Sequence, residues 1–118
     1  MRPYEILCDS NFDMNHELRG RFNLCDDFVD GDIVYPDGHR ENCDPEWKNY
    51  DQHTFFSMMN NKKNVFKTSV KGIDAFLSVV EKHLALGEDL LVVSLAAGMS
   101  ATYSLFNMAK EQFLPKYP

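Results

Sequence analysis

The chain has 118 residues, a length suited to one domain with an adequate core, and its 44% hydrophobic and 25% charged residues argue against extensive disorder. Its formal charge of -6 repels phosphate backbones and weighs against nucleic acid as a partner. Three widely spaced cysteines, Cys8, Cys25 and Cys43, form no C-x-x-C pair, so no metal site or redox motif is indicated; they read as small buried hydrophobes or surface thiols of a reducing cytoplasm.

Residues 4–8 predict a short buried strand ended by the turn-prone Asp9-Ser10-Asn11. Residues 15–22 predict a short helix with Leu18 and Phe22 on one face, weakened by Gly20. Residues 24–29 and 33–35 read as two more strands, with turns at Asp30-Gly31 and Pro36-Asp37-Gly38. Residues 39–48 are polar, contain Asp44-Pro45 and read as loop; residues 52–60 read as a helix carrying Phe55, Phe56, Met58 and Met59. The clearest helix holds Ile73, Phe76, Leu77, Val80 and Leu84 at helical spacing, with Gly87 at its stop. Residues 89–95 form a continuous apolar run, the pattern of a central strand covered on both faces. A last helix over residues 101–113 is stopped by Pro115. No secretory signal pattern is evident, and the longest apolar stretch, residues 90–99, is too short to span a bilayer, so a soluble, cytoplasmic protein that is not transmembrane is expected. The alternation predicts an α/β fold, a mostly parallel sheet flanked by helices, as a single domain over residues 1–118.

Ligands of open α/β sheets bind at the carboxyl ends of strands. Three hydroxyl-rich segments fit that place: Asp9-Ser10-Asn11-Phe12-Asp13, Thr68-Ser69 before the third helix, and residues 94–102. Two of them lead into helices whose first N–H groups are unpaired and partly positive, a natural seat for a carboxylate or phosphate. No His or Cys accompanies the hydroxyls locally in sequence, so an activated nucleophile is not evident, and the glycines form no phosphate-binding loop, so anion binding fits better than bond making. Plainer roles stand beside these. Thr68 and Ser100 also suit helix caps, and Asp9, Ser10 and Asp13 suit turns. The Phe55, Phe56, Met58, Met59 group suits a core, and His16, His39, His53 and His83 show no ligand spacing and read as surface residues.

Three motifs together resemble the DegV family. They are Asp9-Ser10-Asn11-Phe12-Asp13 for D-S-x-x-D after the first strand, Thr68-Ser69 for the T-S pair, and Ser100-Ala101-Thr102-Tyr103 for S-G-T-Y, the last preceded by Gly87-Glu88-Asp89 for the G-D-D-like turn. They occur in the family's order, and the resemblance runs over residues 5–117. It implies a bacterial, non-enzymatic protein that binds a long-chain fatty acid and presents it to a fatty-acid kinase, with no metal and no cofactor beyond the bound acid. The resemblance assigns the carboxylate-binding hydroxyls to Thr68 and Ser100, supported by Asp9, Ser10, Ser69 and Thr102. The sequence departs from the pattern at Ala96 and Ala97, which replace paired serines, at Ala101, which replaces the motif glycine, and at Val70 and Lys71, which replace Gln and Pro. Relatives have two domains, and only the first is expected here. The rival expectation is therefore a truncated, non-catalytic interaction module that forms a homo-oligomer through the exposed inter-domain face. A phosphotransfer or sugar-kinase-like role would rest on fold analogy alone and needs a reactive histidine at a strand end.

Overall fold

The computed structural model describes residues 3–29 and 31–118. Its elements are β1 (Tyr4–Asp9), a 3-10 turn (Ser10–Phe12), α1 (His16–Arg21), β2 (Phe28–Val29), β3 (Gly31–Val34), β4 (Arg40–Asn42), α2 (Gln52–Asn60), β5 (Lys67–Val70), α3 (Ile73–Ala85), β6 (Asp89–Val93) and α4 (Thr102–Phe113). Asp30 of the expected Asp30-Gly31 turn lies outside the described residues, and Gly31 itself opens β3.

The chain builds an α/β fold around a parallel sheet ordered β2-β1-β6. Ile6 pairs with Leu91, and Cys8 pairs with Val93 on one side and Phe28 on the other. Leu7 is fully buried beneath Phe76, Val80, Phe106, Ala109 and Phe113, so α3 and α4 cover one face. The Phe76 and Phe106 rings meet edge to face at 4.8 Å, an arrangement that adds about 0.5–1.5 kcal/mol to their burial. The stripe read along α3 is the stripe that packs, and Gly87 ends the helix with φ 78, a conformation that costs glycine nothing.

A second sheet, antiparallel and ordered β4-β3-β5, was not expected. Pro36-Asp37-Gly38 closes the β3–β4 hairpin: Gly38 takes φ 90, and its N–H donates to the Tyr35 carbonyl at 2.9 Å. The stretch read as loop over residues 39–48 therefore contains a strand. Thr68 and Ser69 lie within β5, paired with Ile33 and Asp32, and not in a helix-capping turn; Gly72 is the cap residue of α3.

Two further expectations are corrected. The apolar run forming β6 is an edge strand among the described residues, with Leu91 56% and Val93 37% exposed. Its apolar character covers a core on one face only. His83 is not on the surface: it is 6% exposed, because positions 76, 80 and 83 fall on one helical face. No helix of the described residues is long and apolar enough to cross a membrane.

Candidate functional site

The carboxyl end of β1 sets the site. Asp9 is 3% exposed, and its carboxylate accepts from Asn11 N–H at 2.9 Å and from Leu95 N–H at 2.8 Å. One side chain thus ties the exit of β1 to the exit of β6. Ser10 Oγ accepts from Gly31 N–H at 3.0 Å, which docks the second sheet on the first and leaves the Ser10 hydrogen to donate. Gly31 is at a close approach here: a Cβ would meet the Ser69 carbonyl at 3.3 Å and Cys43 Sγ at 3.5 Å.

These contacts enclose a cleft of about 300 Å³ lined by Asp9, Ser10, Thr68, Ser69, Ser100 and Thr102, with Asn11, Cys43, Phe76 and Met99 among its walls. The six positions assigned by the resemblance meet there, although they arrive from a strand end, a strand interior and a helix start; Asp13 lines the neighbouring groove instead. Ser100 Oγ lies 2.9 Å from Thr102 Oγ1 and accepts from Thr102 N–H at 3.2 Å, so Ser100 engages the first residue of α4 while lining the cleft; the cap position expected of it is taken by Ala101. Thr68 is exposed, and among the described residues no group engages its hydroxyl. Ser69 makes only a long 3.4 Å bond to the Val70 carbonyl.

The departures from the motif have different weights. Ala101 has φ -70 and ψ -10, a helical conformation open to any residue, so the lost glycine costs the backbone nothing. Lys71 donates to Asp32 and Asn42 at 2.5 and 2.7 Å and is not among the cleft residues. No Lys, Arg or His lines the cleft among the described residues. An anion there would depend on hydroxyls and the amino end of α4.

A larger groove of about 610 Å³ adjoins the cleft and shares Ser10, Asn11, Cys43 and Thr68 with it. Its walls are Trp47, Tyr50, Phe55, Phe56, Met59 and Phe66. Phe56 and Met59 are each 47% exposed, so the helix face read as core faces this groove. The rings form one contiguous set, with Trp47–Tyr50 centroids 5.2 Å apart and Phe55–Phe66 centroids 5.1 Å apart. Burial first, and then the hydrogen bond and charge of Glu41, push the Tyr35 phenol behind them up to about 12. The segment between β4 and α2 thus supplies Trp47 and Tyr50. The aromatic density of Trp47, Tyr50, Phe55 and Phe56 is visible in the sequence, but it does not tell a groove from a core. Asp44 holds this segment, accepting from the N–H groups of Glu46, Lys48 and Asn49 at 2.9, 2.5 and 2.8 Å. Burial works to raise its carboxyl, but these three donors outweigh it and hold the group below the usual carboxylate range.

No family model matches the chain. A DegV domain-containing protein of Clostridium acetobutylicum is 28% identical over 113 residues, 96% of this chain and 37% of that protein. A stearic acid-binding protein of Eubacterium ventriosum has the same fold, with TM-score 0.77 at 18% identity over 98% of this chain and 38% of the other. A DegV family protein of Eubacterium eligens, solved loaded with heptadecanoic acid, gives TM-score 0.66 at 28% identity over 98% and 37%. The chain therefore spans under two-fifths of the length of these proteins. Over nearly its whole length, in sequence and in fold, it resembles the DegV family.

Proposed function

We propose that this chain binds a long-chain fatty acid, with the carboxylate in the hydroxyl cleft and the acyl chain along the aromatic groove. One observation carries the reading: the polar cleft and the apolar groove are contiguous through Ser10, Asn11, Cys43 and Thr68. That is the shape of an amphipath, a small hydrogen-bonding end continued by a greasy track. Ser100, Thr68 and Ser10 supply hydroxyl donors, each bond to a charged group contributing about 1.5–3 kcal/mol. Each methylene moved from water into the groove contributes about 0.8 kcal/mol, so the tail dominates affinity and the hydroxyls set orientation.

Trp47, the single tryptophan of the chain, stands in the groove wall and reports on the tail. A bromine-labelled long-chain acid is expected to quench its emission in step with binding followed by calorimetry. Heat of binding with no quenching would remove the groove from the proposal. Binding untouched by the pair Thr68→Val and Ser100→Ala would remove the cleft.

The same reading makes the chain a carrier with no chemistry of its own. The exposed Thr68 at the cleft leaves the carboxyl end open to a fatty-acid kinase, which would take the acid as its substrate. Acyl phosphate formation by such a kinase should rise when the acid is supplied on this chain. No increase over free acid would confine the function to binding. A second reading, self-association through an apolar sheet face, is favoured by Tyr4 and Leu91, which are 62% and 56% exposed.

A further inference from the structure

Away from the cleft, Cys25, Asp27 and His83 converge where the segment before β2 meets the last turn of α3. Cys25 and His83 are buried, and Asp27 is half-buried. His83 Nδ1 lies 2.8 Å from Glu88 Oε2. A carboxylate only accepts, so Nδ1 carries a hydrogen and donates it. In the neutral ring this leaves Nε2 as a bare acceptor, 3.2 Å from Asp27 Oδ2 and 3.4 Å from Cys25 Sγ.

Two acceptors that close are poor neighbours unless a cation joins them, although Lys82 already donates to Asp27 and the Cys25 S–H can donate to Nε2. A proton on Nε2 satisfies the pair, and so does a metal ion. The third atom separates the two: the thiol sulfur is a strong ligand for a metal and a weak partner for a proton. The three ligand atoms lie within 4.8 Å of one another. The two spacings made by His83 Nε2, 3.2 and 3.4 Å, are near the edges of a tetrahedron whose metal–ligand bonds are ~2.0–2.3 Å. Glu88, on the far nitrogen, stands where a carboxylate orients a metal-binding imidazole.

We infer that Cys25, Asp27 and His83 form a site for a divalent transition metal of the zinc type, with a fourth position left to water. Thiolate, imidazole and carboxylate together suit such an ion and not calcium or magnesium, which prefer oxygen alone. Lys82 Nζ, 2.5 Å from Asp27 Oδ2, competes for the same oxygen. Its side chain is 59% exposed and can turn to water when the ion enters. Burial pushes the Cys25 thiol up, so metal uptake displaces a proton from sulfur. The bound ion would cross-link the segment before β2 to α3 and, through Glu88, to the turn entering β6.

Cobalt(II) added to the full, reduced chain tests this. The expected result is a thiolate-to-cobalt charge-transfer band with the strong visible bands of four-coordination, saturating at one ion per chain, bleached by zinc and accompanied by a higher Tm. Cys25→Ser should abolish the charge-transfer band, and Cys43→Ser should leave it. Asp27→Asn should weaken cobalt binding about tenfold or more, and Lys82→Met, which removes the competing ammonium, should tighten it. These two variants change half-exposed or exposed side chains, so they decide the matter even if Cys25→Ser fails to fold. Absence of the band in the unmodified chain, a band that survives Cys25→Ser, or cobalt affinity unmoved by both Asp27→Asn and Lys82→Met overturns the site and leaves these side chains to hydrogen bonds alone.

Discussion

Asp9 and Thr102, the most buried of the polar residues lining the cleft, hold it together. Asp9 is buried, and its two oxygens are taken up by backbone donors of Asn11 and Leu95, so it acts by positioning the hydroxyl-bearing turns. Asp9→Ala leaves both N–H groups unpaired, and bonds to a charged acceptor contribute about 1.5–3 kcal/mol each. A loss of about 3 kcal/mol in denaturant unfolding is expected, together with loss of acid binding; a change under about 1 kcal/mol would show that water replaces the carboxylate at no cost. Thr102 is 2% exposed and cannot itself reach far into the cleft, but its hydroxyl lies 2.9 Å from Ser100 Oγ. If Thr102 donates, the Ser100 hydrogen is directed outward to the acid. Thr102→Val should therefore weaken acid binding by about 1 kcal/mol, less than the about 1.5–3 kcal/mol that Ser100→Ala removes, and Thr102→Ser should restore it. Equal affinity for the valine and serine variants in calorimetry would mean that Ser100 orients itself.

Among the elements, the segment between β4 and α2 controls the groove. Its order rests on Asp44, whose carboxylate gathers three N–H groups while Asp44 N–H donates to Tyr50 Oη at 3.2 Å. Because folding lowers the Asp44 pKa, its contribution is complete above the ordinary carboxylate value near 4 and drains away as pH falls through the lowered one. Trp47 emission should shift to the red over that acid range before global unfolding, and Asp44→Ala should show the shifted spectrum already at pH ~7, where the wild-type carboxylate is fully ionised. A variant with wild-type emission would place the order of the segment in ring packing alone. Nothing in the sequence announced this arrangement. Helices α2, α3 and α4 were legible because apolar spacing, Gly87 and Pro115 agree. Strands β4 and β5 were not, since Arg40-Glu41-Asn42 and Lys67-Thr68-Ser69-Val70 carry no alternation and are held by ladder bonds to β3. The hydroxyls of the cleft could be found by motif. The aromatic groove could not, because rings facing a groove and rings facing a core look alike until the walls are in place. His83 was legible in principle, since it continues the Phe76–Val80 stripe, but its distance in sequence from Cys25 hid the contact.

At the scale of the whole molecule, the shape is open. The radius of gyration is 16.0 Å, against roughly 13–14 Å for a compact chain of this length, and the long axis is 51 Å. The second sheet and α2 stand out from the parallel sheet, which makes room for the cleft and groove but leaves less core per residue. The face of the parallel sheet opposite α3 and α4 carries Tyr4, Leu91 and Val93, all exposed. Exposed apolar side chains in a row on a sheet with an edge at β6 favour pairing with a like surface. We expect concentration-dependent association in light scattering, and Leu91→Lys should abolish it by placing like charges across the contact without disturbing the core on the other face. A monomer at every concentration would count against this face as an interface. The same variant separates the two readings of function, because Leu91 lines neither the cleft nor the groove. If Leu91→Lys is monomeric and still quenches with a brominated acid, lipid binding belongs to the single chain. If quenching disappears with the association, the acyl chain is held between copies, and the groove around Trp47 is only half of its enclosure.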